Sequence, residues 1–420
     1  MQSNRFDRRT TLTRSRLTAG LLALAVTASL AACSSSSPEP GAADGPLTLW
    51  DPYPQLAADS DWAKAIEACG SASGVRIERT SHDTTDLTNK VLLAAQQGAA
   101  PHVLVVDNPV VSTLAEGGVL ATTEDLGLDT AAVEPNLLDA GKLDGKTYGV
   151  PIGANTLALY YNKAVLTGAG VDVASIRDWA SLTAALDKVK QSGKKGITFS
   201  AVGTEEGSFQ FLPWFWGSGA QLTDVASADA VSALTLWKDW LDRGYAPNSV
   251  IGNTQTTSWQ EFATGEYAFA ENGTWQLANA AKSGLDVGVL AIPGKSGGTA
   301  PAPTGGEFVT VPVQADKSRD ATAKAVVTCL TSAENALTTD TALSYVSALP
   351  EVQAKQVAAK PELEVWVQAV KAAKGRTGDN LGTKYPRVSE PLWNAVQAAL
   401  AGTKSPQQAL TEAQAASAAK

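Results

Sequence analysis

The chain has 420 residues, 33 basic against 42 acidic, a net charge of -9 and 44% hydrophobic content. That acidic balance argues against nucleic-acid partners and against a polybasic membrane patch, and the apolar fraction is that of a globular protein. The length suffices for two ordinary domains.

Arg5, Arg8, Arg9, Arg14 and Arg16 precede an apolar run from Leu17 to Leu30. This is the pattern of a signal-peptide n-region and h-region, and residues 1–32 are assigned to it. The run is too short and alanine-rich for a comfortable membrane span, and no later stretch is long enough. Leu30-Ala31-Ala32-Cys33 resembles a bacterial lipobox, so Cys33 is expected to carry a lipid that holds the protein at the cell membrane, facing the extracellular side. An ordinary secretory signal is the alternative. Arg8-Arg9 with Leu12 gives a weak twin-arginine signal. Ser34 to Ser37, Pro38, Pro40 and Gly41 predict a flexible tether over 33–46. Loss of residues 1–32 takes five positive charges and one negative from a chain of net -9, leaving -13.

Leu47-Thr48-Leu49-Trp50 reads as a buried strand, Asp59 to Ala68 as a helix with Trp62, Ile66 and Cys69 on one side, and Val75 to Glu78 as an alternating strand. Leu87 to Gln97 is a predicted helix stopped by Gly98, and Val103 to Val106 a continuous apolar strand. Strands separated by helices predict parallel βαβ units, with ligands beyond the strand ends after Trp50, Glu78 and Val106. The pattern restarts with a strand at Leu157 to Tyr161, then helices at Trp179 to Gln191, Phe209 to Trp216 and Ala228 to Arg243. Strands follow at Glu266 to Ala270, Val287 to Leu290 and Phe308 to Val311, a helix at Ala321 to Leu330, and an uninterrupted helical tail from Glu351.

No catalytic or metal motif stands out. His82 and His102 lack the spacing of a zinc site, and neither a Gly-x-Ser-x-Gly elbow nor a phosphate-binding glycine loop is present. No cofactor is expected. With Cys33 lipidated, Cys69 and Cys329 are left, either as a disulfide or as two buried thiols.

Several segments, in order, resemble the family 1 extracellular solute-binding proteins of ABC importers, the maltose-binding-protein-like sugar receptors. They are Asp144 to Pro151, Leu159-Tyr160-Tyr161-Asn162-Lys163, Trp237 to Pro247, Phe262 to Gly265 followed by Glu271-Asn272-Gly273-Thr274-Trp275, and Gly305-Gly306. His102 and Glu271 depart from the family pattern, and Glu271 is expected close to the ligand. The resemblance implies a periplasmic-binding-protein-like α/β fold, two lobes joined by three hinge crossovers around a ligand cleft. It divides the chain into 47–152 and 306–348 for the first lobe, and 153–305 and 349–420 for the second. Crossovers are expected near Pro151 to Ala154, Gly305 to Glu307 and Ala348 to Pro350. It also implies a carbohydrate ligand, permease subunits as partners and a monomeric receptor rather than an enzyme. A lipid-anchored polysaccharide-degrading enzyme and a receptor for a peptide, opine or polyamine are the alternatives.

Sugars present hydroxyls and C–H faces, which call for tryptophan, tyrosine and short polar side chains. Trp275 leads, with Asn272-Gly273 before it expected to turn the ring into the cleft. Asn155 follows the first crossover. Asp51, Tyr53, Asp107 and Asn108 lie in loops after strands, where helix capping competes with ligand contact. Phe209, Gln210, Gly306, Glu307, Tyr385, Arg387 and Trp393 match positions the family brings to its ligand. For Arg387 a surface ion pair competes with two sugar hydroxyls.

Overall fold

Alternation decides the first strand. In β1 (Leu47–Asp51) residues Leu47, Leu49 and Asp51 are withdrawn from solvent, whereas Thr48 and Trp50 are half-buried. In the computed structural model, which describes residues 45–378 and 381–419, β1 pairs in parallel with β2 (Ile77–Ser81) and β3 (Val103–Asp107). Cys33, the expected signal and nearly all of the expected tether lie outside the described residues. Between the strands run α1 (Asp61–Ala72), capped by Ser60 and burying Trp62, Ile66 and Cys69, and α2 (Thr84–Gln96). The sheet has the order β2-β1-β3-β9-β4, closed by β4 (Val150–Pro151) and by β9 (Glu307–Thr310), which returns late in the chain antiparallel to both its neighbours. Val103 to Val106 are buried on both faces, which is why they read as a continuous apolar run.

A second, mixed sheet has the order β8-β5-β7-β6, built from β5 (Leu157–Asn162), β6 (Lys195–Thr198), β7 (Tyr267–Gly273) and β8 (Val287–Leu290). One face is covered by α4 (Trp179–Gln191), α5 (Glu205–Gly217) and α6 (Ala228–Asp242). Residues Gly207 to Trp216 of α5 are buried all round, as so apolar a helix requires. Helices α12 (Tyr385–Leu400) and α13 (Pro406–Ala419) complete that cluster. No helix among the described residues is long and apolar enough to cross a membrane.

Among the elements that escaped the sequence reading are β6, α7 (Gln255–Ala263) and α9 (Ala333–Leu343). The Lys-Gly-Ile-Thr run of β6 is short, and a Cβ at Gly196 would lie 2.5 Å from the Tyr245 carbonyl oxygen, so glycine rather than a strand former stands there. The tail is not helical throughout. Helices α10 (Pro350–Ala359) and α11 (Glu364–Ala372) are followed by an irregular stretch over 373–378, where Gly375 and Gly378 break the helical run, and by a 3-10 turn at Gly382–Lys384. Assigning all of 349–420 to the second lobe is also too simple. Val352, Trp366, Val367 and Val370 sit in a cluster shared by Leu49 and Val105 of the first sheet and Ala158 and Tyr160 of the second. Cys69 and Cys329 form a disulfide linking α1 to α8 (Asp320–Thr331), with a Cα separation of 5.5 Å.

The chain passes between the sheets side by side. Ala154 exchanges two backbone hydrogen bonds with Val346, of 2.8 and 2.9 Å, and Asn155 exchanges two with Gly305, of 3.1 and 2.9 Å. Gly306 holds φ +101, and a Cβ there would lie 2.7 Å from the Gly153 carbonyl oxygen, so only glycine fits this close crossing.

Candidate functional site

The strand ends, the crossings and the irregular tail segment meet at one seam. Asp107 ends β3 as the residue before α3 (Asn108–Glu116), but its side chain makes no capping bond. It pairs instead with Arg376, whose Nη2 lies 2.9 and 3.1 Å from the two carboxylate oxygens. Arg376 Nη1 lies 3.1 Å from Glu205 Oε1 at the start of α5, and the guanidinium stands 5.0 Å over the Phe209 ring. Glu205 also accepts hydrogen bonds from Tyr385 and Ser389 of α12. Burial alone works against the charge on Arg376, but Asp107 and Glu205 outweigh it and hold the guanidinium cationic.

Beside this triad, Phe209 and the half-buried Trp275 lie with ring centroids 6.3 Å apart. The expected turn at Asn272-Gly273 is absent, because both residues end strand β7 and are fully within it. The Trp275 ring is placed by folding back on Gly273, where a Cβ would clash with it. Asn155 lies over Gly305, and a Cβ at Gly305 would also come within 3.3 Å of the Phe209 ring. Asn108 is buried and donates through Nδ2 to the carbonyls of Thr304 and Gly306, both at 3.0 Å. Asn108 Oδ1, Thr304 Oγ1 and Arg376 Nε are buried polar atoms with no protein partner, so this floor retains both acceptor and donor capacity.

Glu307 stands opposite Asp107 in the sheet register. It accepts from the Tyr53 hydroxyl at 2.7 Å and from the Tyr345 hydroxyl. Burial, reinforced by the Asp107 charge, pushes its carboxyl up to about 7, against the lowering effect of the two tyrosines and Arg376. Burial likewise raises both tyrosines well above their ordinary range, so they remain donors.

Other expected residues do not join the seam as free groups. Asp51 is fully buried and committed to Arg79, to the Trp62 indole at 2.9 Å and to the Tyr53 amide at 3.1 Å. Gln210 spends both ends internally, accepting from the Ser200 amide at 2.6 Å and donating to the Glu271 carbonyl at 3.2 Å. Glu271 faces the core, not a ligand: its Oε2 accepts from the Trp214 indole at 2.7 Å, and burial raises its carboxyl well above the usual range. On α12, Tyr385 and Ser389 share the face that meets Glu205, and half-buried Trp393 continues that row. Arg387, two positions from Tyr385, falls on the other side of the helix and is exposed. His102 is spent on β1, its Nδ1 lying 2.8 Å from Thr48 Oγ1 and 3.1 Å from the Thr48 amide. Among the described residues no cluster of His, Cys, Asp or Glu is arranged to hold a metal ion. The sequence reading missed Arg376, Glu205 and Tyr345. The three glycines of the tail segment were the one sequence signal for Arg376.

Known proteins are similar to this chain in sequence and in structure. A putative binding protein of Brucella abortus is 29% identical over 166 residues, 37% of this chain and 40% of that one. A maltooligosaccharide ABC transporter solute-binding lipoprotein of Streptococcus pneumoniae is 25% identical over 278 residues, 63% of each chain. The chain thus spans less than two thirds of the length of these curated relatives. The GacH receptor of Streptomyces glaucescens, solved unliganded and in complex with acarbose, superposes with a TM-score of 0.76 at 25% identity, covering 89% of this chain and 97% of that one. Residues 64–365 match the family described as bacterial extracellular solute-binding protein. With two sheets, three side-by-side crossings and a polar, aromatic seam between them, the chain belongs to the bacterial extracellular solute-binding protein family.

Proposed function

We propose that this protein is a lipid-anchored, monomeric receptor on the outer face of the cell membrane. It binds a mono- or oligosaccharide between its two lobes and delivers it to the permease of an ABC importer. The observation that carries the carbohydrate reading is the seam at Arg376, where aromatic faces (Phe209, Trp275) adjoin buried donors and acceptors that lack protein partners. Rings match the C–H faces of a sugar and the spare polar atoms match its hydroxyls. The maltooligosaccharide and acarbose named for the relatives support the same ligand class. The side-by-side crossings are the hinge of this reading, about which the lobes turn as rigid bodies. Ligand contacts made with both lobes at once then select the closed form.

Intrinsic fluorescence titration against a panel of sugars tests the ligand class. A response to neutral sugars that falls at least tenfold in affinity in Trp275→Ala is expected. A response confined to a peptide or polyamine, or hydrolysis of an oligosaccharide by the purified protein, would replace this reading. Cys33→Ala is expected to release the protein from cells while leaving ligand affinity unchanged.

A further inference from the structure

The guanidinium at the seam is cancelled twice. Arg376 has 4% of its side chain exposed and spends Nη2 on Asp107 and Nη1 on Glu205, whose side chains are 23% and 40% exposed. Glu307, the register partner of Asp107, adds a third carboxyl beside the same cation. Phe209 covers the face of the guanidinium, and Nε is the guanidinium nitrogen without a protein partner. A lone buried arginine in a cleft would attract carboxylates and phosphates through paired N–H bonds. Here both Nη atoms are engaged, and an approaching anion meets the carboxylates of Asp107 and Glu205 beside that cation. Charges inside a partly desolvated seam act more strongly than on an open surface.

We infer that Asp107 and Glu205 are specificity-determining residues: by occupying Arg376 from opposite lobes, they make the cleft reject anionic ligands such as uronates and sugar phosphates. The carbohydrate part of this inference rests on the function proposed above, whereas the masking of the guanidinium does not. Asp107 comes from the end of a first-sheet strand and Glu205 from the first turn of a second-lobe helix, so the mask is complete when both lobes face the seam.

The test is isothermal titration of the purified protein, Asp107→Asn and Glu205→Gln with three probes at low and high salt. The probes are a neutral hexose oligosaccharide, the matching hexuronate oligosaccharide and inorganic sulfate. Wild type is expected to bind the uronate at least tenfold more weakly than its neutral counterpart and to ignore sulfate. Each variant is expected to shrink that ratio at least tenfold and to gain sulfate binding that fades with salt. Glu205→Gln keeps the test available should Asp107→Asn fail to fold, because it leaves the paired bonds to Asp107 in place. Equal wild-type affinity for uronate and neutral sugar overturns the inference. So do variants that leave the ratio unchanged and remain blind to sulfate. Sulfate binding gained only by the variants, with no sugar bound by any form, upholds the mask and removes the carbohydrate reading.

Discussion

Gly153→Ala places a methyl group within the packed crossings. An ideal Cβ at residue 153 lies 2.5 Å from Asp340 Oδ1 and 2.9 Å from Cβ and Cδ2 of Tyr345. Neither neighbour yields easily. Asp340 is fully buried in α9, and Tyr345 is tied by its hydroxyl to Glu307 and, at 3.2 Å, to Tyr53. Overpacking of this kind costs about 1–3 kcal/mol, a factor of roughly 5 to 150 in an equilibrium constant. Two routes of relief are open and they read out differently. If the lobes turn apart at the crossings, the strain leaves with opening, and the radius of gyration in small-angle X-ray scattering rises while the urea midpoint barely moves. If the crossings do not act as hinges, the full cost appears as a lower urea midpoint with unchanged scattering. Neither change occurring would refute the packing argument, and a loss of stability alone would refute the hinge.

Glu307 carries a pH signature. Its carboxyl is raised to about 7 in the folded chain, so the native state binds a proton more firmly than the unfolded one. Its stabilising contribution is complete below the ordinary carboxyl range and is lost as pH rises through 7. The stability of wild type relative to Glu307→Gln is therefore expected to fall between pH 5 and pH 8 in urea titrations, and parallel profiles would contradict the shift. Reduction of the Cys69–Cys329 disulfide, which spans 260 residues, is expected to cost about 2–5 kcal/mol, seen as a lower urea midpoint in dithiothreitol that Cys329→Ser reproduces. Glu271→Gln keeps an acceptor for the Trp214 indole and replaces a carboxyl whose ionisation burial opposes, so it is expected to cost less than about 1.5 kcal/mol by thermal unfolding. A loss above roughly 3 kcal/mol would mean the carboxyl is ionised and bonded as such.

The parts of the site that were legible lie where chain geometry repeats. Asp107, Asn155 and Trp275 follow strand ends or crossings, and those places are marked by apolar runs and by glycine and proline, whereas Phe209 came from the family resemblance. The rule of position does not say what a side chain is bonded to. Asp51 sits at a strand end as Asp107 does, yet its carboxylate is consumed by Arg79 of the neighbouring parallel strand, a pairing that depends on register. Arg376 was hidden because Ala372-Ala373-Lys374 continues a helical composition up to the residue where Gly375 ends it. In the fold, Lys374 pairs its backbone with Ala302 and Thr304, and that contact between distant segments turns Arg376 inward. Glu205 lies before the expected helix start at Phe209; in the fold it is in the first turn, where the helix dipole favours an acid regardless of ligand. Tyr345 follows α9, a helix whose weak amphipathic pattern gave no periodicity to read.

The disulfide from α1 to α8 draws a covalent ring around every strand of the second sheet, residues 157–290, and leaves α12 and α13 outside it. A peptide-bond break anywhere in that span would leave the early and late portions of the first lobe still joined through sulfur. The order of assembly is constrained as well. If the chain emerges from its N-terminus, Cys329 arrives only after all four of those strands, so the second sheet can pair before the ring shuts. Oxidation then fixes a first lobe whose halves were made at opposite ends of synthesis.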